Sequence, residues 1–133
     1  MRFLLDTCVV SDFAQGRPEV LARIKAVAPQ DLAASVVTEM EVAYGLLLNP
    51  RLAARLKPVM DDFFSAIRIL PYDRKAVEAT ASARAGLKRR GRPIGAYDVL
   101  IAGTAISNEL ILVTSNLREF KQVEHLTVED WRS

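Results

Sequence analysis

Four side chains of chemically useful type lie far apart in this chain: Asp6, Glu41, Asp98 and Asn116. Asp6 directly follows the apolar run Phe3-Leu4-Leu5, where a buried strand would normally give way to turn residues. A bare carboxylate at the mouth of a core strand costs free energy unless something pairs it. Glu41 falls in the first two turns of one helical segment, and Asp98 heads another that is otherwise wholly apolar. Carboxylates gathered at one mouth repel unless a cation holds them. Oxygen donors in small number, without a His or Cys cluster, suit Mg²⁺ with Mn²⁺ as an alternative. The chemistry such a centre performs is metal-assisted hydrolysis.

The elements that must position these residues follow from periodicity and breakers. Apolar runs predict strands at residues 2–6, Leu32–Ser35, Ile67–Leu70 and Leu110–Thr114, with a short fifth at Leu126–Val128. Helical spacing predicts helices over Val9–Ala14, Glu19–Val27, Val36–Leu48, Arg51–Phe64, Arg74 to about Arg90, and Ala96–Ser107. Met40, Ala43, Tyr44, Leu47 and Leu48 share one face of the Val36 helix. Leu52, Leu56, Val59, Met60 and Phe63 are expected to face inward from the next. Asp73 can cap the helix that follows it, and Gly91 suits a C-terminal cap. Strands alternating with helices imply an α/β fold, a three-layer α/β/α sandwich with a mostly parallel sheet of four to five strands. Ligands of such sheets bind outside the carboxyl ends of the strands. Asp6 and Thr114-Ser115-Asn116 end strands at that edge. Glu41 lies on the helix leaving the second strand, and Asp98 begins the helix that feeds the fourth.

Each candidate also has a structural role open to it. Asp6 could cap the next helix, Thr38-x-x-Glu41 matches a capping box, Asp98 could serve the helix dipole, and Asn116 could be a turn residue. Gly45, one turn after Glu41, is expected to clear space beside that carboxylate. The densest basic run, Lys88-Arg89-Arg90-Gly91-Arg92, leads toward Asp98. A positive lip of Arg89, Arg90 and Arg92 beside an acidic metal site fits a polyanion crossing the metal, with Ser115 beside Asn116 holding a phosphate oxygen or a water. Cys8 as a nucleophile fails on spacing, because a Cys-x5-Arg phosphate loop would need Arg where Ala14 stands. The isolated His125 reads as structural.

Length and composition bound the rest. The 133 residues suggest a single domain, 1–133, with a core of its own. The 18 Lys and Arg against 16 Asp and Glu give a net charge of +2, which permits a nucleic-acid partner without requiring one. One cysteine precludes an intrachain disulfide and fits a reducing compartment. No apolar stretch approaches a membrane span and no signal-peptide pattern opens the chain, so a cytoplasmic location without membrane contact is expected.

Four stretches taken together resemble the PIN domain family in order and spacing: Leu4-Leu5-Asp6-Thr7, Glu41-Val42-Ala43-Tyr44-Gly45, Asp98-Val99-Leu100-Ile101-Ala102, and Val113 to Phe120. The likeness is to the VapC toxins of bacterial toxin–antitoxin pairs, and Glu129-Asp130-Trp131 resembles their ending. The resemblance covers essentially the whole chain. It implies a PIN-like fold and a Mg²⁺-dependent endoribonuclease that is a homodimer and is inhibited by a cognate VapB-type antitoxin. The family's acidic positions carry over to Asp6, Glu41 and Asp98 as metal ligands and catalytic residues, and its fourth position to Asn116, where many members have Asp. Cys8 stands where the family usually has Asn. Two other functions stay open at this point: a PIN-like protein that binds RNA without cutting it, and a Mg²⁺-dependent phosphatase with Asp6 as nucleophile. The phosphatase would want a second Asp where Cys8 stands.

Overall fold

The computed structural model describes residues 1–132. Five parallel strands form one sheet in the order β3-β2-β1-β4-β5: β1 Phe3–Leu5, β2 Leu32–Ser35, β3 Arg68–Leu70, β4 Ile111–Val113 and β5 Val128–Glu129. Among the described residues seven helices accompany them: α1 Thr7–Ala14, α2 Pro18–Ala26, α3 Val36–Leu48, α4 Pro50–Ala66, α5 Arg74–Arg89, α6 Ala96–Ser107 and α7 Leu117–Phe120. A 3₁₀ turn at Pro29–Asp31 leads into β2. The sheet is wholly parallel, and the predicted α/β/α class and fifth strand both hold.

Side chains of a strand alternate between its two faces, and this sheet is apolar on both. Leu4, Ala33 and Leu112 join one buried cluster with Leu70, Leu87, Ile101 and Phe120. Phe3, Leu5, Leu32 and Val113 join the other, with Val9, Val20, Met60, Phe63 and Trp131. The central strand is therefore apolar at every position, as a parallel strand covered on both sides must be. Trp131 meets Phe3 edge to face at 5.0 Å and sends its indole N–H to Glu129 Oε1 at 3.0 Å, so the end of the chain is pinned to the first strand.

Local signals explain the helix boundaries. Asp73 caps α5 by accepting from the Ala76 amide. At the other end Gly91 takes φ 66°, Arg92 N–H bonds Leu87 C=O and Gly91 N–H bonds Lys88 C=O, the paired bonds of a Schellman motif. The capping box left open at Thr38 does not form. Ser35 is the N-cap of α3 and accepts from the Thr38 amide, and Thr38 is buried one turn inside. The inward face expected of α4 is narrower than predicted: Leu56, Met60 and Phe63 are buried, whereas Val59 is exposed.

α6 is buried at every position from Ile101 to Ala105, as its all-apolar sequence required. It lies so close to α5 that a Cβ at Gly103 would stand 1.9 Å from Thr80 Oγ1 and 2.9 Å from both Thr80 Cβ and the Thr80 amide nitrogen. Alanine in an open helix would gain about 1 kcal/mol over glycine, but overpacking of this severity costs about 3 kcal/mol or more. Gly103→Ala is expected to lower the unfolding free energy by about 2 kcal/mol or more, read as a lower denaturant midpoint at unchanged m. Thr80→Ala in the same background should recover part of it, because Cβ and the amide still obstruct. An unchanged midpoint in Gly103→Ala would refute this account of the helix contact.

Candidate functional site

The chain passes outward from β1 to β2 to β3 and then crosses to β4 on the other side of β1. That reversal opens a crevice at the carboxyl ends of β1 and β4, the place where ligands enter open α/β sheets. A cleft of about 490 Å³ lies there, lined by Asp6, Glu41, Asp98 and Asn116 with Cys8, Asp12 and Arg132 among others. Residues drawn from four separated stretches thus share one wall, as their spacing predicted.

Asp6 leaves β1 with its N–H still bonded to Val113 C=O at 3.0 Å, and it is 3% exposed. Its Oδ1 accepts from the Val9 amide at 2.9 Å, so it is the N-cap of α1 as well as a cleft carboxylate. The Cys8 thiol lies 3.1 Å from both Asp6 oxygens and in turn accepts from the Ser115 hydroxyl at 3.2 Å. Burial pushes the Asp6 carboxyl above its usual range, opposed by the Thr114 hydroxyl, the Val9 amide and the Cys8 thiol. Burial and the neighbouring Asp6 charge also push the Cys8 thiol up, which keeps it protonated and donating.

Glu41 comes to the cleft from α3. Thr7 Oγ1 donates to Glu41 Oε1 at 2.7 Å, a bond that ties the first residue of α1 to α3. Asp98 lies in the first turn of α6, where Gly95 is the N-cap. A Cβ on Gly95 would stand 3.1 Å from Asp98 Oδ2, so the glycine gives this carboxylate room to fold back. Gly45, by contrast, has no such role: a Cβ there would meet nothing within 4 Å. The Asp98 carboxyl is pushed up to about 6, first by partial burial and then by the charges of Asp6, Glu119 and Glu41. Asn116 donates through Nδ2 to Glu119 Oε2 at 2.9 Å, and its backbone N–H bonds Thr114 Oγ1.

The cleft carries an excess of negative charge. Asp6, Asp12, Glu41 and Asp98 line it, and Arg132 is the one cation among its lining residues. Arg132 is committed to Asp12, through Nε to Oδ2 at 2.8 Å and Nη2 to Oδ1 at 3.1 Å. Among the described residues no three His, Cys, Asp or Glu side chains converge tightly enough to cage an ion unaided. An ion bound here would have to complete its shell with water.

The basic run lies elsewhere. Arg90 pairs with Glu124 at 2.7 Å and with the Gln122 carbonyl, Arg89 and Arg92 are exposed, and none of the three lines the cleft. Ser115 is turned to Cys8 rather than being a lining residue. Thr7 and Glu119 fell inside the stretches that carried the family resemblance but were given no role, whereas Asp12 and Arg132 had no sequence signal at all. The Asp12–Arg132 pair joins residues 120 positions apart, beyond the reach of any local pattern.

The PIN domain family pattern matches residues 3–126. The chain is 37% identical to the tRNA(fMet)-specific endonuclease VapC of Shigella flexneri and 36% identical to that of Salmonella typhimurium, covering 98% of both partners in each comparison. Its fold superposes on the DNA-bound VapBC structure of Salmonella typhimurium with a TM-score of 0.90 at 35% identity, covering 98% of each chain. With the carboxylates converging at the β1–β4 crevice and likeness running the length of the molecule, this chain belongs to the PIN domain family, among its VapC ribonucleases.

Proposed function

We propose that the protein is a divalent-metal-dependent endoribonuclease that hydrolyses RNA phosphodiester bonds as the toxin of a VapBC-type pair. The observation that carries this is the meeting of Asp6, Glu41, Asp98 and Asn116 in one negatively charged cleft at the switch point of the sheet. Asp6 and Asp98 are the residues to hold the ion, with Glu41 completing its shell through water. Bound there, Mg²⁺ or Mn²⁺ supplies positive charge for the phosphoryl oxygens and acidifies a coordinated water.

The chain's own groups do the positioning. The Val9 amide and the Cys8 thiol fix the Asp6 carboxylate from behind. Thr7 holds one oxygen of Glu41 and leaves the other to orient the attacking water. Glu119 holds the Asn116 amide by its NH₂ group, which leaves the Asn116 carbonyl oxygen to accept from a water. No protein nucleophile is required, and Cys8 in place of a second Asp disfavours a phosphoenzyme. Arg89 and Arg92 are exposed cations available to a longer RNA beyond the cleft.

The partners follow the same proposal. Two solved relatives are VapBC complexes bound to DNA, from Salmonella typhimurium and Rickettsia felis, which supports a VapB-type antitoxin for this chain. Homodimer formation is supported by the face of α3. Met40, Tyr44, Leu47 and Leu48, grouped by helical spacing, are 41%, 60%, 81% and 67% exposed, so this row is an apolar surface in want of cover. Among the described residues no helix is long and apolar enough to cross a membrane.

Asp6→Asn and Asp98→Asn are each expected to reduce metal-dependent RNA cleavage by more than about 100-fold, beyond the loss typical of outer-shell changes, with the circular dichroism spectrum retained. Full activity in either purified variant would remove it from the site. A protein that binds RNA in Mg²⁺ and never yields cleaved ends would establish the binding-only function instead. A second expectation concerns stability without metal. The Asp98 carboxyl is about 6 in the fold against about 4 unfolded, so the native state holds the extra proton and stability falls as pH rises through that window. In chelator, Asp98→Asn should melt progressively higher than the parent chain from pH 4 to pH 6 and keep that advantage above pH 7. Added Mg²⁺ should narrow the gap, and a pH-independent gap would refute the raised proton affinity of Asp98.

A further inference from the structure

Resting on the ribonuclease function just proposed, we propose that Arg132 is a substrate-positioning residue that contacts an RNA phosphate flanking the scissile bond. A cleft crowded with carboxylates repels a polyanion, and a bound ion neutralises that repulsion at one point only. RNA must also be held where it enters and leaves. Arg132 is the cation that the fold has built into the cleft wall.

Its placement is fixed from three sides. The preceding residue, Trp131, is 1% exposed against Phe3. The Arg132 backbone N–H bonds Asp130 Oδ1 at 2.8 Å. The guanidinium is clamped on Asp12 by two of its N–H groups. A guanidinium has five N–H donors, and Nη1 makes no hydrogen bond to any described residue. The side chain is 37% exposed, while Asp12 is 14% exposed. The pair is thus buried at the carboxylate end and open at the donor end. That is a preorganised arginine: one edge is spent on orientation and the other is left for a planar, bidentate anion such as phosphate. Since Asp12 lies on α1, the helix that Asp6 caps, the same clamp fixes the spacing between the arginine and Asp6.

The test separates a phosphate contact from a staple that merely holds the C-terminal residues to α1. RNA binding would be measured in Mg²⁺ over a series of salt concentrations, using the chain with Asp6→Asn so that substrate is not consumed. Adding Arg132→Gln should weaken binding about tenfold, the worth of one charged hydrogen bond, and lower the slope of log affinity against log salt by up to about 0.7. Arg132→Lys should keep most of the slope and lose part of the affinity. In the otherwise unaltered enzyme, Arg132→Gln should act chiefly through KM. If a folded Arg132→Gln lowers the melting temperature yet leaves affinity and slope unchanged, Arg132 is a staple and the inference falls while the ribonuclease function stands. If the unaltered chain neither binds nor cuts RNA, both fall together.

Discussion

The structure turns on a charge imbalance at the end of its central strand. Folding a parallel sheet with both faces covered places β1 in the middle, and the next residue after its last apolar side chain is a buried carboxylate. Burial alone penalises that charge, and the fold then brings Glu41 and Asp98 toward it. Three arrangements keep the cost tolerable. Asp6 is hydrogen-bonded by the Val9 amide and the Cys8 thiol, Glu41 by Thr7, and Asp12 by Arg132. Asp98 has no such partner among the described residues, and its carboxyl is the one whose proton affinity climbs to about 6. What the protein leaves unbalanced is what a cation can balance.

This imbalance also explains why a cysteine serves beside Asp6. A thiol is a weaker donor than an amide, yet here it spans both oxygens of one carboxylate at equal distance and receives the Ser115 hydroxyl behind it. The chain Ser115–Cys8–Asp6 links the end of β4 to the end of β1. The proton stays on sulfur because burial disfavours a thiolate, and the neighbouring Asp6 charge disfavours it further. Cys8 therefore acts through its hydrogen bond, and its reactivity is suppressed by the same surroundings that make it useful.

Much of this was legible in the residues and some was not, for identifiable reasons. β2, α3 and α6 run over the residues that pattern and breakers predict: β2 through its place between two helices, α3 through its break at Asn49-Pro50, and α6 through a continuous apolar run. The meeting of Asp6, Glu41, Asp98 and Asn116 followed from topology, since parallel strands put their ends on one edge. Caps were less secure: Ser35 and Thr38 compete for the same role, and which one wins depends on where the strand stops. The direction of the basic run was not legible, because charge density says nothing of where side chains lie: Arg90 is occupied by Glu124, and Arg89 and Arg92 are exposed outside the cleft lining. The Asp12–Arg132 pair was invisible, because no periodicity connects the first helix to the last residues. The apolar row of α3 was read as a face but not as an exposed one; periodicity reports that a stripe wants cover without naming what covers it.

That row has a mechanical consequence. Met40 and Tyr44 flank Glu41 within little more than one turn of the same helix, and both are exposed while Glu41 reaches across to Thr7. An α-helix is stiff over so short a span. Whatever seats itself on the row grips the rod that carries the glutamate, and a tilt on one side is felt on the other without any intervening relay. Assembly and chemistry are then two ends of one lever, and a partner need never enter the cleft to change how well it cuts.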